Sequence, residues 1–233
     1  MPRPPPIPGT LLVFAKPPQP GQVKTRLIPA LGEEGAAQLH RCLVRQQLAT
    51  ALKAGIAQVQ LWCAADTAHP FFQDCQAEFG ISLHAQQGDD LGQRQLHALE
   101  SAMAEATPVV LIGSDIPSMS ALHLRQAFAA LAADTAAVLT PMEDGGFSLI
   151  GLRASAPQLF AGIEWGGERV LAQLRANLED MGWRYSLLDT LWDVDRPEDL
   201  VRLRQAPPAT FTPKCRALLA GAEYDSENID RQQ

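Results

Sequence analysis

The sequence predicts an α/β fold built on a mostly parallel sheet. Three observations carry that reading. Short apolar runs, at 11–15, 59–64 and 109–113, are separated by segments of helix length. The run at 109–113 is uninterrupted, as suits a strand covered on both faces. Polar loops rich in Gly, Pro and Asp follow the strand ends, where open α/β sheets gather their ligands.

Taken in order, the run 11–15 stops at Lys16, and the loop Pro17-Pro18-Gln19-Pro20-Gly21 leads to Lys24-Thr25-Arg26. Residues 32–53 space Leu39, Leu43, Val44, Leu48 and Leu52 for one helix face. After the buried strand at 59–64, residues 66–79 form a polar connection or short helix holding Phe71, Phe72 and Phe79, and 81–85 is a third strand. Residues 87–94 turn into a helix with Leu96, Leu99 and Met103 on one side. Past the strand 109–113, Ser114-Asp115-Ile116-Pro117 precedes a helix capped by Ser120, with Leu124, Phe128 and Leu131 inward. Strands follow at 136–140 and 146–152, then a helix over 168–178 with Val170, Leu171, Leu174 and Leu178 on one side. A strand at 183–188 and a last helix beyond Asp193 complete the pattern. No repeat and no linker marks a second domain. The expected organisation is a proline-rich disordered tail over 1–9, one domain over 10–220 and a polar tail over 221–233.

The formal net charge of −7 argues against nucleic acid or an anionic membrane as the main partner and suits a small phosphorylated ligand held by a local basic loop. Cys42, Cys63, Cys75 and Cys215 show neither C-x-x-C pairing nor zinc-like spacing, so buried free thiols and a cytoplasmic location are expected. No stretch approaches membrane-spanning length. The five histidines form no cluster in sequence, which supports neither a His-based metal site nor a Ser-His-Asp triad.

Four constellations carry candidate chemistry. The first is Ala15-Lys16 with Gly21, Lys24, Thr25 and Arg26, where glycine, a helix start and three cations make an anion cradle. A solvated basic turn uses the same letters. A Walker motif is excluded, since it would need glycine at Pro18 and Val23, and no dinucleotide fingerprint follows the strand. The second is Ser114-Asp115, whose carboxylate suits Mg²⁺ bridging two phosphates, or merely opens a turn before Pro117. The third is Glu143-Asp144-Gly145-Gly146: acids and close backbone approach for a ligand, or an acidic hairpin turn. The fourth is Asp193-Val194-Asp195, in which Asp195 stands three residues before Glu198 as a helix cap and capping box would, while Asp193 has no such use. Arg94 stands where it can reach a phosphate or pair on the surface, and Trp165 can cover a ring or enter the core.

Together these motifs resemble the glycosyltransferase A-like, or selenodomain-associated, transferase family, a domain of unknown function within the nucleotide-diphospho-sugar transferase superfamily. The residues that carry the resemblance are Phe14-Ala15-Lys16 through Leu27, Gly113 to Pro117, Glu143 to Leu152, and Asp193 to Leu200, in the family's order. The first and third are specific to the family, and the last is widespread among nucleotidyltransferases. The resemblance implies a three-layer α/β/α sandwich with a nucleotide beside the loop after the first strand. It implies Mg²⁺ or Mn²⁺ at Asp115 and Asp195, with Lys16, Lys24 and Arg26 facing phosphate. Phe147-Ser148 and Gly166-Gly167 depart from the family's Gly-Gly-Tyr-Tyr and its hydroxyl residue after the tryptophan loop.

The expected function is metal-dependent transfer from a nucleotide-activated donor, a nucleotide sugar, to an unknown acceptor. Asp115, Asp144 and Lys24 would be catalytic. Ala15, Lys16, Gly21, Thr25, Arg26, Arg94 and Ser114 would bind nucleotide, and Glu143, Gly145, Gly146 and Trp165 the other substrate. The alternatives are nucleotidyl transfer to a small phosphorylated substrate, as in molybdopterin and coenzyme F420 guanylyltransferases, or nucleotide binding without catalysis.

Overall fold

Alternation along the first strand sets the architecture. In β1 (Ile7–Ala15), Leu11, Val13 and Ala15 enter one core while Leu12 and Phe14 enter another. A strand buried on both faces must be covered on both sides, and the chain supplies the layers in turn. The computed structural model describes residues 5–133, 135–205 and Arg216. The expected tail at 221–233 and Cys215 lie outside the described residues.

The elements after β1 are α1 (Ile28–Ala54), β2 (Ile56–Cys63), α2 (Pro70–Phe79), β3 (Ser82–Ala85), α3 (Leu91–Met103), β4 (Val109–Gly113), α4 (Ala121–Ala132), β5 (Ala137–Pro141), β6 (Phe147–Leu152), α5 (Val170–Asp180), β7 (Tyr185–Leu187) and α6 (Pro197–Gln205). The seven strands form one sheet in the order β3-β2-β1-β4-β6-β5-β7. Every neighbouring pair is parallel except β4 with β6 and β5 with β6. The sandwich has three layers. Residues of α1, α2 and α4, among them Val44, Leu48, Phe71, Phe72, Leu124 and Phe128, fill the core on one face. Ala98 and Leu99 of α3 and Leu174 and Leu178 of α5 fill the other. A smaller cluster packs Leu200 and Leu203 of α6 and Val194 against Leu39 and Leu43 of α1.

Several local expectations meet their physical tests. Ser120 caps α4, accepting from the His123 amide at 3.1 Å. β1 begins at Ile7, inside the stretch expected as a tail, because the Ile7 amide donates to the Gly55 carbonyl at 2.8 Å. Leu52, expected on the inner face of α1, is 40% exposed. Each four-residue step rotates about 40° around a helix, so the row Val44–Leu48–Leu52 drifts off the core and Ala51 takes the inward place. The capping of α6 also differs from expectation. Asp199, not Glu198, reaches back, accepting from the amides of Asp195 at 2.9 Å and Arg196 at 2.7 Å. The Asp195 side chain is thereby left for another partner.

Candidate functional site

The chain runs from β1 outward through β2 and β3, then returns to lay β4 on the other side of β1. That reversal opens a crevice beyond the carboxyl ends of β1 and β4, the place where such sheets bind ligands. Lys16 follows one strand and Ser114-Asp115 the other. A cleft of about 390 Å³ lies there, lined by Ala15, Lys16, Lys24, Thr25, Arg26, His40, Ser114, Asp115 and Asp195 among others.

Lys24 enters this cleft from an unusual backbone. Its φ of 49° and ψ of 42° are left-handed, a conformation a non-glycine residue adopts under constraint from its surroundings. The ammonium, its side chain only 4% exposed, sits 2.8 Å from Asp115 Oδ2. On the other carboxylate oxygen, Ser114 Oγ donates at 3.3 Å and His40 Nδ1 stands 3.4 Å away. His40 is held in turn by its Nε2–H, which donates to the Lys16 carbonyl at 3.0 Å. Burial alone would push the Asp115 carboxyl up, but Lys24 and His40 outweigh it and hold the group well below the usual carboxylate range. The loop carrying Asp115 is anchored from α1, where Gln47 donates to the Ile116 carbonyl and Gln46 to that of Pro117 at 3.4 Å.

A second cleft, about 890 Å³, adjoins the first. Glu143, Asp144, Gly145, Gly146, Trp165, Glu168 and Asp193 help to line it, and Arg26, Leu91 and Asp195 line both clefts. Three segments build its walls. The β5–β6 turn closes by the Asp144 side chain, which accepts from the Gly146 amide at 2.9 Å. The segment 191–195 is stitched between that turn and the Asp115 loop, with Glu143 N–H on the Leu191 carbonyl (3.3 Å) and Val194 N–H on the Asp115 carbonyl (3.1 Å). The loop before α5 presses on the turn, and the Leu171 amide donates to the Gly145 carbonyl at 3.1 Å. The close backbone approach that Gly145 permits is to Glu168.

Charges in the second cleft are unevenly balanced. Arg202 takes Glu143 in a bidentate pair at 2.7 and 3.0 Å and lies over the Trp192 ring, 4.3 Å from its centroid. Arg26 pairs with Asp195. Asp193 is pushed up to about 6, first by burial and then by Asp144, Asp195 and Asp115, with Lys24 opposing. A carboxyl raised above its unfolded value of 3.8 weakens the fold as pH climbs from about 4 to 6 and holds that penalty above 6. Asp193→Asn is therefore expected to raise Tm by a few degrees at pH 8 and by almost nothing at pH 4, measured by calorimetry without added metal.

Most sequence-predicted residues converge. Ala15, Lys16, Lys24, Thr25, Arg26, Ser114, Asp115 and Asp195 line the first cleft, and Glu143, Asp144, Gly145, Gly146 and Trp165 the second. Gly21 and Arg94 are among the lining residues of neither. Gly21 turns the loop at φ +75°, and Arg94 Nε donates to the Gly88 carbonyl at 2.9 Å. Sequence reasoning missed His40 and Gln95. Gln95 interrupts an otherwise apolar inward row of α3, which is the signal that could have found it, whereas His40 is one of three polar residues, with Gln46 and Gln47, buried on α1.

Residues 47–167 match the profile of a family described as uncharacterized protein conserved in bacteria (DUF2064). The chain belongs to this family. The DUF2064 chain is 30% identical to a candidate nucleotide-diphospho-sugar transferase from Desulfovibrio desulfuricans G20, whose crystal structure matches over 91% of this chain and 94% of that one at a TM-score of 0.82. Rv0371c of Mycobacterium tuberculosis H37Rv, solved in complex with manganese, matches at 0.56 with 20% identity over 86% of this chain and 100% of that one. A CMP:2-keto-3-deoxy-manno-octonic acid synthetase complexed with CTP matches at 0.56 with 14% identity over 84% and 97%. The last two likenesses establish the fold alone. No curated protein matches the DUF2064 chain. Its fold is that of the nucleotide-diphospho-sugar transferases.

Proposed function

We propose that the chain is a divalent-cation-dependent transferase that takes a nucleotide sugar in the first cleft and moves the sugar to an acceptor in the second. The observation that carries this reading is the change in charge balance where the clefts meet. Lys16 and Lys24, with Asp115, line the first; Glu143, Asp144, Glu168, Asp193 and Asp199, with Arg196, line the second; and the Arg26–Asp195 pair lines both. A nucleoside diphosphate is attracted to the first cleft and repelled by the second, so the sugar it carries would come to rest at the junction. An acidic wall opposes a phosphorylated acceptor, which favours sugar transfer over nucleotidyl transfer to a phosphate ester. The name of the Desulfovibrio relative supports the same donor class.

Lys24 and Arg26 would stabilise the negative charge that develops on the departing diphosphate, and Asp115 would hold Lys24 in place for that task. Asp144, one oxygen committed to the turn, would use the other to orient a sugar hydroxyl. The donor set fits a hard cation. Asp115, Asp193 and Asp195 offer carboxylate oxygens of the kind Mg²⁺ and Mn²⁺ prefer. Among the described residues no three His, Cys, Asp or Glu make a ready cluster, so Mg²⁺ or Mn²⁺ would have to be held by one or two carboxylates and completed by phosphate oxygens. When bound, the cation would neutralise charge on the leaving diphosphate. The manganese complex of Rv0371c supports this choice of metal.

Titration calorimetry with nucleotide sugars, nucleoside diphosphates and nucleoside triphosphates, with and without Mn²⁺, tests the reading. Metal-dependent binding of a nucleotide sugar is expected, weakened at least tenfold in Lys24→Met. Binding confined to triphosphates would replace it with nucleotidyl transfer, and silence across the panel would refute it. Among the described residues no helix is long and apolar enough to cross a membrane.

A further inference from the structure

The floor of the second cleft contains a polar group with no use inside the protein. Gln95, in the second turn of α3, is 5% exposed and lines the cleft, yet its Oε1 is buried with no donor within hydrogen-bond reach. An orphan acceptor of this kind is unfavourable, and at a cleft wall a ligand can satisfy it. Its neighbours on the α3 inward row, Gly92, Ala98, Leu99 and Ala102, are apolar, so packing there has no need of an amide. Beside it Trp165 is wedged in place. A Cβ on Gly92 would lie 2.5 Å from the indole, and Phe160 stacks on the ring with centroids 6.2 Å apart and planes 20° from parallel.

A fixed aromatic ring, a buried amide acceptor and the free carboxylate oxygen of Asp144 converge in one cavity. From this we infer that the second cleft holds a sugar or polyol without a phosphate group, and that Gln95 accepts from one of its hydroxyl or amino protons and so sets acceptor specificity. The acids of the wall disfavour phosphate esters by repulsion, and the indole adds apolar surface for the carbon skeleton. The inference rests on the donor reading above only in naming this compound the acceptor.

Saturation-transfer NMR tests it on the full chain with Mg²⁺ and a mixture of UDP, GDP, CDP and ADP. The probes are glucose, mannose, inositol and glycerol, each beside its phosphate ester, and glucosamine. Thermal shift is unsuitable, since sugars stabilise proteins by exclusion from their surface. Signals from a phosphate-free probe are expected, neutral or aminated, with affinity about five- to tenfold lower in Gln95→Met and in Gln95→Leu. The nucleotide signals should stay unchanged in both variants, and Tm should hold or rise, because each removes an unsatisfied acceptor. Stronger binding of the phosphate esters, equal binding by the variants, or no sugar signal at all would overturn the inference. Gln95-dependent sugar binding without any nucleotide signal would overturn the donor reading and leave the sugar site standing.

Discussion

Asp115→Asn is expected to lower turnover by a thousandfold or more while the chain still folds, because its loss strands the cation that would meet the leaving diphosphate. Removing an electrostatic group of this kind typically costs about 10²–10³ in rate, and here the substitution disturbs Lys24 as well as any bound metal. The same change acts on stability. Lys24 is buried and its nearest anion is Asp115 at 2.8 Å. Breaking a fully buried pair costs about 3–5 kcal/mol, but the Asp115 side chain is 36% exposed to the cleft, and water there reduces the effect to about 2 kcal/mol. For a domain of this size that corresponds to a Tm lower by about 4–8 °C. Lys24→Met should destabilise by a similar amount, and the double variant by much less than the sum, since neither charge is then left alone. Additive losses would show that the pair is not energetically coupled. Acid provides an independent check. Asp115 is held below its ordinary range, so its contribution is complete above about pH 4 and is lost only as pH falls further. The Tm difference between wild type and Asp115→Asn should therefore be constant through neutral pH and close only in strong acid.

Gly145→Ala is expected to destabilise the protein by about 3 kcal/mol or more, lowering Tm by roughly 6–12 °C. Two penalties add at this position. The φ of +86° is one that L side chains rarely adopt, and a Cβ there would fall 2.0 Å from the Glu168 carbonyl oxygen and 2.8 Å from its carbon. Those are backbone atoms, which cannot rotate aside, so the turn and the loop before α5 must separate and break the bond from the Leu171 amide. The wall of the second cleft would part with them, and affinity for the second substrate should fall alongside stability. Gly146→Ala is the control. Its φ is ordinary, and the nearest atom to a Cβ is Asp144 Oδ1 at 3.1 Å, the end of a side chain. It should cost less than about 1 kcal/mol. Equal Tm losses in the two variants would show that the crowding at Glu168 is not the cause.

Both glycines were visible in the sequence as a turn and as a point of close approach, but not what was approached. The same division runs through the molecule. Apolar runs marked the strands, a polar residue before an apolar row marked the Ser120 cap, and Asp-Gly marked the β5–β6 turn, because each depends on residues within a few positions of one another. The acidic and basic loops were legible as loops at strand ends, and the parallel sheet brought them to one crevice.

What lay beyond the sequence depends on how distant segments cross. His40 meets Asp115 because α1 passes over the loop after β4. Asp199, rather than Glu198, answers the start of α6 because the entry of the chain aims its carboxylate at two amides. Gln95 is a surface-type residue that α3 rotates into a cavity, and Asp193 is raised first by burial and then by carboxylates, two of which, Asp144 and Asp115, arrive from other loops. The sequence by itself determined the strands, the helices and which charges stand at the strand ends, since local propensity and burial on two faces act over short stretches of chain. Only the tertiary structure decided which of those charges pair, which acceptor is left without a donor and where the acidic cleft meets the basic one, because electrostatic and hydrogen-bond energies depend on ångström-scale distances that no spacing along the chain specifies.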